Sequence, residues 1–462
     1  MRKSAAGGPA NHSSRAQAPD VSVIAMADDE HVPSGRLRRL SRLAYLTART
    51  TGDLLASQAR RKLTGEDASN DDMKKAGERI LATLGELKGA ALKLGQALAM
   101  DPDALPEEAR AVVAKLLSQA PQRMEFAQVE EVICSELGKP PDELFATFER
   151  EPMAAASLGQ VHAATLHDGR EVVVKIQYPG VDKALDSDLK NAAVLVRGFA
   201  LTGETLDQRP YYDELRASLL RELDYRAEAE QAETYRKAAA RYPELAVPEV
   251  IADRSAKRVL CLTRLHGKQL LEVIEAKLPE AERFRVARLM LFAIWGPFYA
   301  ASLVHADPHP GNFLVLPDGR LGVLDYGATK LLSEQFAATY RLFLDENAAG
   351  RAHPDVGPWL KKAGFRFLGD DEEDAFEFCQ KMADIVQRPI VQDVFDFGAD
   401  ALINDLRGVF RASPALALRI KPPPEALLFY RSAAGLAQDL RLLKARGPFR
   451  AVLQEIKERG RA

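Results

Sequence analysis

One segment of the chain carries more polar chemistry than an ordinary connection between two secondary-structure elements. Residues 304–315 read VHADPHPGNFLV, and residues 323–328 read VLDYGA. The polar residues stand between short apolar runs, which are typical of buried strands. Asp307 and Asn312 are five positions apart, and Asp325 follows thirteen positions after Asn312. Because Mg²⁺ prefers oxygen ligands, the pattern predicts two neighbouring loops that present carboxylate and amide oxygens to one site.

Composition predicts a globular protein that does not bind nucleic acid. The 462 residues are 47% hydrophobic, which is enough for two or three domains with a sizeable core. Lys and Arg number 63 against 66 Asp and Glu, for a formal net charge of -3, so a basic surplus is missing. The three cysteines, Cys134, Cys261 and Cys379, are each more than a hundred residues from the next. This spacing excludes a disulfide framework and favours reduced thiols in a cytoplasmic protein.

Residues 1–35 and the apolar stretch at 289–304 are considered as a targeting signal and as a membrane span, respectively. Residues 1–35 begin with many small and polar residues and lack the apolar core of a secretory signal, so they predict a disordered tail. An organelle transit peptide stays open, because no acidic residue precedes Asp20. Residues 289–304 are uncharged but contain Pro297 and are too short to span a bilayer. They predict a buried helix, and membrane contact would then be peripheral.

Two helices are predicted near the start of the ordered chain, over residues 36–63 and 71–99. The second carries an apolar stripe with alternating steps of four and three residues. Lys93 and Gln96 are three positions apart and share a face of this helix. Spacing alone leaves open whether these two side chains are solvated or face a binding site.

A strand-rich region follows a proline-punctuated connection at 137–145. The His167-Asp168-Gly169 sequence predicts the turn of a β-hairpin. Before it, AAASLGQV matches the spacing of a phosphate-binding loop, G-x-G-x-x-G-x-V, with alanines in the first two glycine positions. The candidate nucleotide-binding residues of this loop are Ala154, Ala155, Ala156, Ser157, Gly159 and Val161. Lys175 closes a run of valines, where a lysine needs an anionic partner unless it lies at an edge of the sheet.

An acidic segment, LLRELDYRAEAEQAE, occupies residues 219–233. On a regular helix Asp224 and Glu228 share a face, whereas Glu222 is about 200° from Asp224. The three carboxylates therefore predict at least two separate contacts, with a solvated polar face as the alternative. Residues 257–267 follow as a predicted apolar strand.

The order of these features is that of a protein kinase. A phosphate-binding loop, a strand lysine, an acidic helix and a strand precede the segment that contains Asp307, Asn312 and Asp325. The spacings match the H-R-D-L-x-x-x-N and D-F-G motifs, with Tyr326 in place of the phenylalanine. In phosphoryl transfer the lysine neutralises the α- and β-phosphates, and the metal bridges the β- and γ-phosphates.

The chain resembles the UbiB family of atypical protein-kinase-like proteins, which includes the mitochondrial coenzyme Q biosynthesis ATPase of eukaryotes. The resemblance covers roughly residues 75–450. The family's motifs stand here as K-x-G-Q at 93–96, AAAS at 154–157, E-x-D at 222–224, HADPHPGN at 305–312 and DYG at 325–327. KPPPEALLFYRSAAGL at 421–436 is similar to the coenzyme Q branch.

This resemblance implies an α+β, bilobal protein-kinase-like fold with a family-specific N-terminal helical extension. The implied domains are a tail at 1–35, the extension at 36–145, an N-lobe with a helical insert at 146–266 and a mostly helical C-lobe at 267–462. The implied activity is that of a Mg²⁺-dependent ATPase, or of a kinase for a small molecule or lipid, in ubiquinone or related isoprenoid metabolism. The expected ligands are ATP and Mg²⁺, with an isoprenoid or quinone-like lipid and a membrane surface as further partners.

The resemblance also implies a role for each motif residue. Lys175 and Glu228 form an ion pair, Asn312 and Asp325 bind Mg²⁺, and Asp307 is the catalytic-loop aspartate. Lys93 and Gln96 face Glu222 and Asp224 across the site.

Two other functions are compatible with parts of the sequence. A metal-dependent hydrolase would use His305, Asp307 and His309 as ligands, but it leaves Lys175 and Asn312 without a role. A catalytically weak, nucleotide-binding scaffold would keep the same polar residues without turnover. The sequence does not identify the acceptor of the phosphoryl group, which is water, a small molecule, a lipid or a protein.

Overall fold

The computed structural model describes residues 123–156, 158–182, 220–276, 278–349, 356–369 and 372–461. The predicted tail at 1–35 and the predicted helices at 36–63 and 71–99 lie outside these ranges, and so do Lys93, Gln96 and Ser157. The three longest strands lie before residue 264 and most of the helices lie after it, so the described chain has a sheet-rich part built on these strands and a helix-rich part.

The sheet-rich part is built on five antiparallel strands. In chain order they are β1 (Thr147–Phe148), β2 (Ala154–Ala156), β3 (Gly159–Thr165), β4 (Glu171–Gln177) and β6 (Val259–Thr263). The order in the sheet is β1-β3-β4-β6, and β2 pairs with the free part of β3. The β3–β4 pairing confirms the predicted hairpin. Its turn contains Gly169 at φ +88, a conformation that glycine adopts without strain.

Helices cover both faces of this sheet. Successive residues of a strand point to opposite sides, so each face presents side chains against which a helix can pack. They are α1 (Phe126–Leu137), α2 (Pro141–Leu144) and α3 (Tyr225–Ala239). Val129 and Ile133 of α1 share one core with Val174 of β4. Tyr225 of α3 shares another with Leu260 of β6, against which Val173 packs. Helix α3 is therefore fixed to the face of the sheet opposite α1.

The predicted regular helix across 219–233 is wrong at its start. Helix α3 begins at Tyr225, and Asp224 is its N-cap, whose carboxylate accepts a hydrogen bond from the Arg226 backbone N–H. A short acidic side chain at this position satisfies an otherwise free helix N–H, which favours a helix start here. Glu222 therefore precedes the helix, and the angle calculated on a continuous helix does not apply.

The helix-rich part contains a second sheet of four short strands, in the order β5-β10-β9-β7. These strands are β5 (Leu245–Ala246), β7 (Lys268–Gln269), β9 (Phe313–Val315) and β10 (Leu321–Val323). The two-stranded pairs are β8 (Leu303–His305) with β11 (Thr329–Leu331), β12 (Arg366–Phe367) with β14 (Ile420–Lys421), and β13 (Phe395–Asp396) with β15 (Arg446–Gly447). The helices are α4 (Leu270–Glu275), α5 (Glu280–Ala301), α6 (Glu334–Ala348), α7 (Gly357–Lys362), α8 (Glu373–Val386), α9 (Arg388–Val391), α10 (Leu402–Ala412), α11 (Pro414–Arg419), α12 (Pro424–Leu442) and α13 (Phe449–Arg461).

Helix α5 lies in the largest hydrophobic core and confirms the buried helix predicted near 289–304. Its bounds differ from the prediction, because the helix ends at Ala301 and residues 303–305 form β8. The end is set by Ser302, which adopts a left-handed conformation at φ 55. Within the described ranges, none of the helices is both long and apolar enough to cross a membrane.

Candidate functional site

Lys175 is a buried cation held between two carboxylates. It lies on β4, and its Nζ donates to Glu228 Oε1 of α3 at 2.5 Å. Asp325 Oδ2 is 3.6 Å from the same nitrogen. The Lys175 and Glu228 side chains are only 12% and 9% exposed. Burial alone would lower the pKa of Lys175, but the charges of Glu228 and Asp325 outweigh it and raise that pKa above its ordinary value.

The alanine-rich segment forms a tight hairpin beside this lysine. Ala156 of β2 pairs with Gly159 of β3, and Val161 of β3 pairs with Lys175 of β4. A methyl group at Gly159 would lie 2.0 Å from the Ile176 carbonyl oxygen, so only glycine fits. Ala154 and Ala155 are exposed. The hairpin thus places an exposed backbone edge near the strand that carries Lys175.

Asp307 lies in the loop between β8 and β9 and is held from two sides. Asn312 Nδ2 donates to the Asp307 carbonyl oxygen at 2.9 Å and lies 3.5 Å from Asp307 Oδ2. Arg431 Nη2 of α12 donates to Asp307 Oδ1 at 2.8 Å. His309 is exposed, and its Nδ1 accepts a hydrogen bond from the Gly311 N–H at 3.1 Å. The carboxylate of Asp307 therefore has a defined orientation.

Asn312 and Asp325 lie at the ends of two paired strands. Leu324 N–H donates to the Asn312 carbonyl oxygen at 3.0 Å, which continues the β9–β10 ladder. Asp325 Oδ1 accepts from the Gly327 N–H at 2.9 Å, while Oδ2 faces Lys175. Because Asn312 uses its amide nitrogen toward Asp307, its amide oxygen remains to bind a cation. Carboxylate and amide oxygens are ligands that Mg²⁺ accepts, so Asp325 and Asn312 could hold this ion.

A transition-metal site is not supported. Across the residues that the structure describes, His, Cys, Asp and Glu form no cluster of three or more that could hold a metal ion. His305 is buried, and its Nε2–H donates to the Asp325 carbonyl oxygen at 2.6 Å. The hydrolase alternative required His305, Asp307 and His309 as such a cluster, and the described residues do not provide it.

A set of buried aromatic side chains connects α3 to both loops and was not predicted from the sequence. The Tyr235 ring of α3 lies 5.9 Å from the His305 ring and 5.3 Å from the Tyr326 ring. Tyr326 O–H donates to the Val323 carbonyl oxygen at 2.5 Å. These contacts fix Asp325 relative to the helix that carries Glu228. The replacement of phenylalanine by Tyr326 was the one signal of this set in the sequence.

The two acidic residues of the E-x-D motif take different positions. Asp224 binds Arg226, with Nε at 2.9 Å and Nη2 at 2.6 Å from its oxygens, so it is occupied within its own helix. Glu222 lies near the loop of Asp325, because a methyl group at Gly327 would be 3.9 Å from Glu222 Cγ. The structure thus brings together Lys175, Glu228, Asp325 and Glu222, and separately Asp307 with Asn312 and Arg431.

Comparisons with known proteins identify the family of this chain. Residues 115–350 match the family model of the ABC1 atypical kinase-like domain. The rat protein named "Atypical kinase COQ8B, mitochondrial" is 30% identical over 433 residues, which are 91% of this chain and 80% of the rat protein. "Atypical kinase COQ8, mitochondrial" of Saccharomyces cerevisiae is 32% identical over 271 residues, 58% of this chain and 53% of the yeast protein.

A solved structure is similar over most of its length. The complex of Rv3197 with erythromycin, from Mycobacterium tuberculosis, is 30% identical in sequence and aligns with a TM-score of 0.56. The alignment covers 83% of this chain and 96% of that one. Together with the mixed helices and sheets described above, the match confirms the predicted kinase-like fold. The chain therefore belongs to the ABC1 family of atypical kinase-like proteins, which is the UbiB family.

Proposed function

We propose that this protein binds ATP with Mg²⁺ and transfers or hydrolyses its γ-phosphoryl group. The observation that carries the proposal is the position of Lys175, a buried cation fixed between Glu228 and Asp325. A lysine held in this way presents positive charge without competing for the metal, which is its role toward the α- and β-phosphates in kinases.

The other described residues complete this assignment. The β2–β3 hairpin offers backbone N–H groups to the phosphates, as the corresponding loop does in kinases. Asn312 and Asp325 would hold Mg²⁺, which neutralises charge that develops on the β- and γ-phosphates. Asp307 orients the attacking hydroxyl group or water and accepts its proton. The acceptor is either water or a small molecule or lipid.

The names of the relatives suggest the metabolic setting. Since the rat and yeast proteins are named COQ8 kinases, we assign this chain to ubiquinone or related isoprenoid lipid metabolism, with a quinone-like lipid and a membrane surface as partners. Both relatives are named mitochondrial, which differs from the cytoplasmic location expected from the cysteines. The three cysteines are free thiols in the structure, as expected.

The test is ATP hydrolysis by the purified protein, with and without Mg²⁺ and with added phenolic, lipid-like compounds. We expect Mg²⁺-dependent turnover that Lys175→Met and Asp307→Asn each reduce about 100-fold or more. Lys268→Met is a matched control, because Lys268 is an exposed strand lysine outside the site. Equal turnover in Lys175→Met and Lys268→Met would contradict the proposal.

One observation favours the second candidate, a nucleotide-binding scaffold without turnover. Arg431 occupies one carboxylate oxygen of Asp307 at 2.8 Å, so a single oxygen of this carboxylate is left to contact an attacking group. The same assay separates the two functions. Mg²⁺-dependent nucleotide binding without hydrolysis or transfer to any added acceptor would support the scaffold.

A further inference from the structure

Helix α12 contacts the catalytic loop through two adjacent residues. Arg431 Nη2 donates to Asp307 Oδ1 at 2.8 Å, and Ser432 Oγ donates to the His305 carbonyl oxygen at 2.8 Å. Ser432 is fully buried. The helix therefore binds the loop backbone just before Asp307 and the Asp307 side chain itself.

The bond from Arg431 determines which way the carboxylate points. A carboxylate rotates freely about its Cβ–Cγ bond until one of its oxygens is held. Arg431 holds Oδ1, and as a result Oδ2 is directed toward Asn312, 3.5 Å away. The loop at 305–312 contains no lysine or arginine, so α12 supplies this cation from 124 positions along the chain.

Helix α12 is rigid enough for such a role. Glu425 in its first turn accepts hydrogen bonds from the Ser333 N–H at 2.8 Å and from its hydroxyl at 2.6 Å. Phe429, one turn later, is buried and contacts Trp295 and Phe336, with ring centroids 5.3 and 5.7 Å away. Side chains on a packed helix position a partner more accurately than side chains on a loop.

We propose that Arg431 is a positioning residue for phosphoryl transfer. By holding Oδ1 of Asp307, it orients this carboxylate so that Oδ2 faces the attacking group. The inference rests on the proposed function and adds a residue to its site. Arg431 acts through Asp307 and does not touch the phosphates, whereas Ser432 holds the loop backbone in place.

The experiment compares Arg431→Met and Arg431→Lys with Arg388→Met. Arg388 is a matched control, because it pairs with Asp405 at 2.6 Å and is 31% exposed, against 36% for Arg431. We expect Arg431→Met to lower kcat about 30-fold while the Kd for ATP with Mg²⁺ changes less than about 3-fold. Arg431→Lys should restore part of kcat, and Arg388→Met should change neither value. Thermal melts of the variants show whether each is folded.

A double variant tests whether Arg431 acts only through Asp307. In the Asp307→Asn background, Arg431→Met should lower kcat no further, since the group that it positions is already disabled. A further loss of about tenfold would mean that Arg431 contacts the substrate directly, and it would overturn the inference. Unchanged kcat in both Arg431 variants, with turnover in the parent protein, would overturn it as well. Absence of turnover in the parent would instead overturn the proposed function, and the inference with it.

Discussion

Lys175 shows how one buried charge depends on its neighbours. If Glu228 becomes neutral, Asp325, at 3.6 Å, is the remaining ion-pair partner of the ammonium group among the described residues. Breaking a buried pair leaves a poorly compensated charge, so Glu228→Gln should lower the free energy of unfolding by about 3 kcal/mol. Urea denaturation measures this change. Glu233→Gln is the control on the same helix, because its partner Arg236 is 44% exposed and such pairs contribute less than about 1 kcal/mol. Equal effects of the two substitutions would contradict the prediction.

Asp439 on α12 is a buried carboxyl with an unusual titration. It is 3% exposed, and its Oδ2 lacks a hydrogen-bond partner among the described residues. Burial raises the pKa of Asp439 to about 8, whereas an aspartate in an unfolded chain titrates near pH 4. Between these two values the folded state binds more protons than the unfolded state, so stability falls as pH rises from about 4 to about 8.

Asp439→Asn should therefore stabilise the protein, and more strongly at pH 8 than at pH 5. The gain should grow by up to about 1.4 kcal/mol for each pH unit in this window. Thermal melts of parent and variant at several pH values test it, with Asp374→Asn, at an exposed aspartate, as the control for residue type. A constant difference between parent and Asp439→Asn across the window would show that the carboxyl is not protonated in the folded state.

Single residues also show where prediction from the sequence ends. The resemblance to the family assigned Lys175 and Glu228 to each other, and their side chains meet at 2.5 Å. Arg431 stands in a quoted segment, but nothing in an amphipathic helix indicates which loop a cation 124 positions away will reach. His305 was considered as a metal ligand, since a histidine beside an aspartate does not reveal that its ring bonds a backbone carbonyl.

At the level of elements, the β2–β3 hairpin depends on one close backbone approach. A side chain at Gly159 would collide with the backbone of Ile176, 2.0 Å away, and backbone cannot move aside as a side chain does. Gly159→Ala should therefore destabilise the sheet by more than about 2 kcal/mol. Gly169→Ala is the matched control, because it adds strain at φ +88 but meets no atom within 4 Å, and should cost about 1 kcal/mol. Chemical denaturation ranks the two variants, and the reverse order would refute the argument.

Element types were easier to predict than element ends. The hairpin at 167–169 and the buried helix near 289–304 follow from turn residues and apolar runs, and both are present. The residues at which helices start and end depend on local caps and backbone conformations, which the periodicity of apolar residues does not indicate. Asp224 caps α3 and excludes Glu222 from the helix, while Ser302 ends α5 in a left-handed conformation.

At the level of the whole molecule, α3 joins the sheet-rich and helix-rich parts. Its Glu228 binds Lys175 in the sheet, and its Gln231 Nε2 donates to the Thr329 carbonyl oxygen of β11 at 2.9 Å. Tyr235 of the same helix contacts Tyr326. The predicted domain limits at residues 145 and 266 stay predictions. Motif order places the elements along the chain, whereas contacts such as these hold Lys175 within 3.6 Å of Asp325, 150 positions later.

A ligand that binds between the two parts should stabilise them together. At a concentration of about 100 times its Kd, a ligand that binds the folded state adds about 2.7 kcal/mol to the free energy of unfolding. An ATP analogue that is not hydrolysed should therefore raise Tm by several degrees when Mg²⁺ is present. Asp325→Asn should abolish the Mg²⁺-dependent part of this shift, because the substitution removes the charge of the proposed metal ligand while it keeps the shape of the side chain. Asp318→Asn is the control, since Asp318 lies in the nearby β9–β10 turn and pairs with Arg320 at 2.7 Å. Two outcomes would contradict this prediction: a shift in Tm that survives chelation of Mg²⁺, or a shift in Asp325→Asn as large as that in Asp318→Asn. In either case Asp325 does not bind the metal, and contacts other than the proposed ones hold the nucleotide.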